Sequence, residues 1–266
     1  MNVRCLHEKG EIESLLRRDL YLHLYSLGDL DDFFWPHTVW YAGSRDDPAC
    51  PVVLLYCGQD PPTLLALHRD PAPMGKLLRD LQPLLPRRFQ AHLSPGVENV
   101  FEESRSFRLS FHGEHRKMAL TDPERVRTSD MTGTVPLTTR DREELLRFYR
   151  ECYPDNWFDP RMLETGQYYG IREEGTLASV AGIHVYSPRY GVAALGNIAT
   201  APPHRNRGLA KRVTARVCRS LLEDAAGPIA HIGLNVKADN APAIAGYRRL
   251  GFEIAHTYHE YVVEQR

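Results

Sequence analysis

The sequence of 266 residues lacks a surplus of charge, since it has 33 basic and 34 acidic side chains and a formal net charge of −1. No overall field therefore draws the protein to nucleic acid or to an anionic membrane. It also lacks any run of about eighteen apolar residues and any apolar N-terminal segment with a basic flank, which argues against membrane spanning and secretion. We expect a cytoplasmic protein that binds neither nucleic acid nor membrane.

Cysteine is scarce as well. The five cysteines lie far apart and form neither a CxxC motif nor a Cys/His pair with the spacing of metal ligands; they are Cys5, Cys50, Cys57, Cys152 and Cys218. An odd, scattered set favours reduced thiols, as in a cytoplasm, over a disulfide framework. We also expect no metal site.

What the chain does have is a glycine turn between an apolar run and a long amphipathic helix rich in basic residues. This turn consists of Arg205, Asn206, Arg207, Gly208, Leu209 and Ala210. A glycine in the first helical turn lets an anion approach the backbone, and the free N–H groups of that turn, together with the helix dipole, favour negative charge. The pattern predicts a cradle for a pyrophosphate group. It is not a Walker motif, because Leu209 stands where that motif has lysine.

A second block follows downstream, from Asn240 through Tyr247 to Gly251 and Phe252. The two blocks, in this order, resemble the acetyl-CoA-binding core of the GNAT superfamily of N-acetyltransferases. That core reads Arg/Gln-x-x-Gly-x-Gly/Ala and then Asn-x-x-Ala-x-x-x-Tyr-x-x-x-Gly-Phe. The resemblance implies an α+β fold, an α/β/α sandwich whose mixed, mostly antiparallel sheet is splayed.

The second half of the chain supports this resemblance. Residues 119–135 are polar and turn-prone, so we place a domain boundary near Ser129, between domains of residues 1–128 and 129–266. In the second domain, apolar periodicity predicts helices over 140–152, 159–165, a stretch beginning after 208, and 240–250. It predicts strands over 168–172, 177–186, 192–200, 229–236 and 252–263. This order of elements matches the GNAT fold.

The first half is less regular and contains no second glycine cradle. Its patterns predict strands over 38–42, 52–57, 63–67, 89–93, 105–111 and 116–120, with helices over 11–27 and 73–84. This arrangement resembles the degenerate N-terminal half of tandem-GNAT proteins, including proteins like glycine N-acyltransferase. No specific motif supports this part of the resemblance.

The resemblance assigns the cofactor contacts. The backbone amides from Arg205 to Ala210 would hold the pyrophosphate of CoA, and the backbone of Ile198, Ala199 and Thr200 would pair with the pantetheine arm. Arg205, Arg207 or Lys211 could add charge. Asn240 is expected to cap the next helix and also to touch the cofactor.

The resemblance also assigns Tyr247 as the general acid that protonates the departing CoA thiolate. Many family members carry a glutamate as the base on the strand over 192–200, but this chain has no carboxylate there. His184 is our first choice for the base because a histidine can accept a proton near neutral pH. The alternatives are Tyr186, Asn197 through a water, and His204.

The implied reaction is the transfer of an acetyl or short acyl group from acyl-CoA to a primary amine, by direct attack in a ternary complex. The acceptor would be a small-molecule amine or an amino acid, and specificity would involve the loop residues Tyr153, Asp155, Trp157 and Phe158. A protein amino group as acceptor and a non-catalytic acyl-CoA-binding regulatory module stay open as alternatives. The prediction also allows a homodimer.

Overall fold

The computed structural model describes residues 3–44, 49–154, 156–225, 227 and 229–266, and its backbone divides into two compact units. Unit 1 consists of Met1–Lys117, Val236–Asp239 and Ile254–Arg266, and unit 2 consists of Met118–Asn235 and Asn240–Glu253. The predicted boundary near Ser129 lies within unit 2. An independent domain over residues 129–266 stays a prediction.

Among the residues that the structure describes, the strands of unit 1 lie in the order β1-β2-β3-β4-β5-β12-β6. Their bounds are β1 Arg4–Leu6, β2 Thr38–Ala42, β3 Val52–Tyr56, β4 Thr63–Ala66, β5 Arg88–Leu93, β6 Phe107–Leu120 and β12 Phe252–Gln265. Strands β4 and β5 are parallel, whereas β1–β2, β2–β3, β3–β4 and β5–β12 pair antiparallel. The run from Val52 to Leu55 is apolar at every position and buried on both faces, as expected for an inner strand.

The helices of unit 1 are α1 Lys9–Leu16, α2 Leu24–Gly28, α3 Pro71–Leu81 and α4 Asn99–Glu102. Helix α3 makes the crossover between the parallel strands β4 and β5. Its buried side chains recur at helical spacing and join the core over the sheet; they are Met74, Leu77, Leu78 and Leu81. This core of unit 1 is built mainly from aliphatic and phenylalanine side chains and also includes Met74 and Tyr261.

Two predictions for the first half are wrong in detail. The helix predicted over 11–27 is interrupted, because Leu22, His23 and Leu24 are all buried, which a continuous helix with one apolar face does not allow. The strands predicted over 105–111 and 116–120 are a single strand, β6. Of the residues between them, His112 is exposed, Gly113 and Glu114 are half-buried, and His115 is buried along that strand.

The described strands of unit 2 lie in the order β7-β8-β9-β10-β11. Their bounds are β7 Thr134–Pro136, β8 Tyr169–Glu173, β9 Thr176–Ser187, β10 Val192–Thr200 and β11 His231–Lys237. Strands β10 and β11 are parallel, and the pairs β7–β8, β8–β9 and β9–β10 are antiparallel. This is the mixed, mostly antiparallel sheet that the sequence predicts.

The helices of unit 2 are α5 Glu124–Arg127, α6 Arg142–Cys152, α7 Leu209–Leu222 and α8 Ala241–Arg249. The segment predicted as a helix over 159–165 is a 3-10 helix, Pro160–Thr165. Helix α7 makes the crossover from β10 to β11 and buries the predicted stripe of Leu209, Val213, Val217 and Leu221. Within the described ranges, no helix combines the length and apolar character needed to cross a membrane.

Candidate active site

The connection between β10 and α7 has the backbone geometry of an anion cradle. A 3-10 turn, Pro202–His204, leads into two residues with positive φ, Asn206 at 62° and Gly208 at 76°. A Cβ atom built on Gly208 would meet no protein atom within 4 Å. The start of helix α7 is therefore open to a ligand that approaches the backbone.

The amide groups of this turn are available as donors. Within the part of the chain that the structure describes, the amides from Asn206 to Lys211 donate to no protein acceptor, and the cap residue Gly208 has no side chain to satisfy them. The first bond at the helix start runs from the Arg212 amide to the Gly208 carbonyl, at 3.2 Å. An anion with several oxygens could accept from these amides and would also gain from the helix dipole.

The basic side chains around the turn are partly engaged with the protein. Arg205 Nε donates to the Thr200 carbonyl at 3.2 Å, and Arg207 contacts His204 Nδ1 at 3.1 Å and Glu173 Oε1 at 3.2 Å. These contacts hold two guanidinium groups beside the cradle.

Strand β10 separates from β11 next to the cradle. The paired residues run from Val192 to Leu195 on β10 and from His231 to Leu234 on β11, whereas β10 itself continues to Thr200. On its other edge, β10 stays paired with β9 through Ala199 and Thr200. The stretch over 198–200 is half-buried, and its edge beyond Leu195 has no register with β11. This is the splay expected of the strand that precedes the cradle.

Helix α8 begins as the sequence predicts. The Asn240 side chain accepts from the Ala243 amide at 3.2 Å, so it caps the helix. Tyr247 lies on the last turn, half-buried, with its ring edge-to-face against Phe252 at 6.1 Å between centroids. Burial, with smaller contributions from Tyr153 and Cys218, raises the pKa of the Tyr247 hydroxyl, which therefore stays protonated at neutral pH.

His184 is an extra residue on β9. Leu195 pairs with Ile183 and Ala194 pairs with Val185, so His184 has no partner residue in the register with β10 and forms a bulge. Its ring lies over Gly196, because a Cβ built on Gly196 would come within 1.6 Å of His184 Cδ2. Burial lowers the pKa of His184 to about 4, so the imidazole is neutral at pH 7.

The other residues predicted as bases are engaged differently. The Tyr186 hydroxyl donates to Asp224 Oδ2 at 2.6 Å, and burial, reinforced by Asp224, raises its pKa. His204 lies beside the cradle in contact with Arg207. The Asn197 side chain bonds to protein on both sides, to the Trp157 amide and to the Tyr168 hydroxyl. Asn197 therefore has its amide group committed to the fold.

The predicted acceptor loop contains two exposed aromatic side chains, Tyr153 and Trp157. Phe158 instead packs inward, with its ring 5.0 Å from Tyr149 and 5.5 Å from Tyr168 between centroids. Asp155 lies outside the described residues. The sequence patterns missed the two buried tyrosines, since a tyrosine on an apolar helix or strand position gives no signal beyond core packing.

Comparison with known proteins decides the family of this region. Residues 137–252 match the profile of the Acetyltransferase (GNAT) family. This region is a GNAT acetyltransferase domain. The family predicted from the two sequence blocks is thereby confirmed.

The GNAT domain also has curated relatives at modest identity. One stretch of 60 residues is 45% identical to the mycothiol acetyltransferase of Corynebacterium jeikeium and covers 23% of this chain and 16% of that protein. A stretch of 118 residues is 31% identical to the mycothiol acetyltransferase of Saccharomonospora viridis and covers 42% of this chain and 36% of that protein. The matches thus span only about a third or less of these relatives.

Solved structures extend the likeness beyond the GNAT domain. A structural-genomics protein from Drosophila aligns over 99% of this chain and 98% of its own, with a TM-score of 0.69 and 15% identity. A tandem GNAT protein from the clavulanic acid biosynthesis pathway aligns over 98% of both chains, with a TM-score of 0.55 and 14% identity. At such identities the likeness concerns the fold alone, and it confirms the predicted α+β fold class.

Proposed function

We propose that this protein is an acyl-CoA-dependent N-acetyltransferase that transfers an acetyl or short acyl group to a primary amine. The observation that carries the proposal is the row of amides around Gly208 that donate to no acceptor among the described residues, next to the splayed end of β10 and within a GNAT domain. That combination offers an anion site and an unpaired strand edge side by side. A thioester whose arm ends in a pyrophosphate needs both.

In this proposal the cradle and the strand edge hold acetyl-CoA. The amides from Asn206 to Ala210 would bind the pyrophosphate oxygens. The Arg205 amide, which the sequence prediction includes, already donates to the Pro202 carbonyl at 3.4 Å. The side chains of Arg205 and Arg207 would add positive charge nearby. The backbone of Ile198, Ala199 and Thr200 would pair with the pantetheine arm, and Asn240 and Tyr247 would border it. The side chain of Thr200 already bonds to Ser179 Oγ at 2.8 Å, which fixes the strand end.

The chemistry is a direct attack. The neutral amine nitrogen of the acceptor forms a bond to the thioester carbonyl carbon, the C–S bond breaks, and the thiolate leaves. Tyr247 would give its hydroxyl proton to that sulfur, because its raised pKa keeps it in the acid form until the thiolate appears. One proton must also leave the amine, and the product is an amide plus free CoA.

His184 is the proposed acceptor of the amine proton. The imidazole is neutral at pH 7, which is the form that accepts a proton, and Gly196 leaves room for it on β10. A pKa of about 4 makes it a weak base in the absence of substrate. In this proposal the proton lost by the attacking amine reaches the His184 ring through a bridging water.

The acceptor is proposed to be a small amine or an amino acid. The shared name of the curated relatives makes mycothiol chemistry the first acceptor class to try. A protein amino group is the alternative acceptor, and acyl-CoA binding without turnover is the alternative function. The cytoplasmic location and the homodimer stay predictions.

The first test is calorimetric titration with acetyl-CoA and with CoA. We expect wild-type protein to bind in the micromolar range and Gly208→Arg to weaken binding by about a hundredfold or more. Gly175→Arg is the matched control, because Gly175 also has a positive φ, 83°, and open space around it, but lies in the β8–β9 turn. Absence of binding to wild-type protein, or equal loss in the control, would exclude the cradle.

A further inference from the structure

Asn197 occupies an unusual backbone position inside the GNAT domain. It is the extra residue of a second bulge, because Gly196 pairs with Gly182 and Ala199 pairs with Val180, leaving two residues on β10 opposite one on β9. Its φ is 54°, and only 2% of the residue is exposed. Glycine is the usual residue in this conformation and asparagine is one of the few others that tolerate it, so a buried asparagine here is expected to use its side-chain amide, which glycine lacks.

The Asn197 side chain connects three parts of unit 2. Its Oδ1 accepts from the Trp157 amide at 3.3 Å, and its Nδ2 donates to the Tyr168 hydroxyl at 2.9 Å. Its own carbonyl accepts from the Tyr149 hydroxyl at 2.7 Å. The bulge is therefore tied to helix α6, to the residue before β8, and to the segment 156–158.

The segment 156–158 is short but well connected. Asn156 Nδ2 donates to the Tyr153 carbonyl at 2.7 Å, and the Phe158 amide donates to Asn156 Oδ1 at 2.9 Å. Phe158 points into the aromatic cluster of Tyr149 and Tyr168. Trp157, between them, keeps 46% of its surface exposed. The backbone of this segment is fixed, while its largest side chain stays accessible.

We propose that Asn197 is a positioning residue, which holds the segment 156–158 against the splayed end of β10 so that Trp157 contacts an aromatic part of the amine acceptor. The proposal rests on the proposed function. The Trp157 amide is held 3.3 Å from Asn197 Oδ1 near the splayed end of β10, and an accessible indole at that position is suited to stacking on a flat apolar group. Fixing its backbone in advance reduces the ordering cost of that contact.

The first test asks whether Asn197 positions the segment 156–158, and it needs no acceptor. Limited chymotrypsin digestion, followed by mass spectrometry, measures the rate of cleavage after Trp157. In Asn197→Gly, which relieves the positive φ but removes the side chain, this bond should be cut about fivefold faster than in wild-type protein. Asn197→Asp keeps an acceptor for the Trp157 amide and should restore slow cleavage. Glu174→Gly is the matched control, since Glu174 also has a positive φ, 51°, in an exposed turn.

The contact role is tested with two acceptors that differ only in a ring, 2-phenylethylamine and ethylamine. Wild-type enzyme should prefer 2-phenylethylamine by about tenfold in kcat/KM. Asn197→Gly and Trp157→Ala should each remove most of that preference through KM. The affinity for acetyl-CoA, measured by calorimetry, should change less than about twofold.

The outcomes separate this inference from the proposed function. Loss of acetyl-CoA binding in wild-type protein would overturn the proposed function itself. An enzyme that binds acetyl-CoA but uses the two amines equally, or uses neither, would overturn the aromatic contact. Unchanged digestion of Asn197→Gly, or an equal change in Glu174→Gly, would overturn the positioning role.

Discussion

The two units place a helix after the first strand of a parallel pair, but the two helix starts differ. In unit 1, α3 follows β4, and β4 pairs with β5 over Thr63–Ala66. In unit 2, α7 follows β10, and β10 pairs with β11 over Val192–Leu195. The same connection thus occurs twice in one chain. Only one copy resembles an anion site.

The difference lies in which groups face the helix start. In unit 1 the Asp70 carboxylate caps α3 by accepting from the Ala72 amide at 2.9 Å, and Pro71 and Pro73 have no N–H to offer. In unit 2 the cap is Gly208, and its neighbouring amides have no protein acceptor within the described residues. A helix N-terminus therefore binds an external anion only where the chain leaves its donors unused.

If only unit 2 binds acetyl-CoA, catalysis also depends on unit 2, and the largest predicted effect is on turnover. Tyr247→Phe in unit 2 should lower kcat by about a hundredfold or more, because the departing thiolate loses its proton donor. Steady-state kinetics with the best acceptor measures this. The affinity for acetyl-CoA should stay the same, and Tyr169→Phe, which removes a hydroxyl bonded to Ser220, should retain turnover. Full activity of Tyr247→Phe would remove the general-acid assignment.

A second substitution places a carboxylate at the start of α7 in unit 2, as Asp70 does at the start of α3 in unit 1. Gly208→Asp should weaken acetyl-CoA binding by about thirtyfold relative to Gly208→Asn, because both side chains tolerate a positive φ but only the carboxylate repels a pyrophosphate. Calorimetric titration of the two variants at equal ionic strength gives the ratio. Equal affinities would mean that negative charge at this helix start does not oppose the cofactor.

The sequence predicted unit 2 better than unit 1 for a physical reason. The cradle over 205–210 and the cap at Asn240 are local features, which depend on glycine conformation and on hydrogen bonds between near neighbours. The strands and helices of unit 2 follow clear apolar periodicity. In unit 1 the burial of Leu22, His23 and Leu24 in a row depends on distant packing, so periodicity predicts a continuous helix there that does not form.

Features of the candidate site that depend on residues far apart in the chain also cannot be predicted from local sequence patterns. The bulge at Asn197 arises from the register of β9 and β10, and its partners lie 29 to 48 residues away along the chain. The usual pKa of histidine predicts His184 as a base near neutral pH, yet burial over Gly196 lowers that pKa to about 4. Neither the register nor the burial of a single side chain can be read from local patterns.

The third prediction concerns pH and unit 1. His92 lies largely buried against Tyr258, with Nε2 at 3.4 Å from Glu260 Oε1, and burial lowers its pKa to about 4 despite the carboxylate. An unfolded histidine titrates near 6.5, so the unfolded chain binds more protons between these values. The stability contributed by neutral His92 is complete above pH 6.5 and is lost as the pH falls towards 4. Between pH 7 and 5 the loss is about 2 kcal/mol.

Thermal unfolding of His92→Gln tests this directly. From pH 7 to pH 5, the melting temperature of the variant should fall by about 5 °C less than that of wild-type protein. His112→Gln, at an exposed position on β6, should follow the wild-type curve. Burial raises the pKa of Asp29 to about 7, so the contribution of Asp29 to stability increases as the pH falls from 7 to 5. The effect of His92 must therefore be taken from the difference between variants, not from the wild-type curve alone. Parallel curves for all three proteins would contradict the prediction.

The smallest effect should come from the carboxylate that caps the start of α3 in unit 1. Asp70→Ala removes the cap of α3 and should lower the melting temperature by about 3 °C, since a lost cap costs about 1 kcal/mol. Asp70→Asn keeps a capping oxygen and should melt close to wild-type protein. Neither variant should change acetyl-CoA binding, because Pro71 and Pro73 still offer no donors. A second binding event in Asp70→Ala would show that the carboxylate alone separates the two helix starts, and that the prolines contribute nothing to the difference.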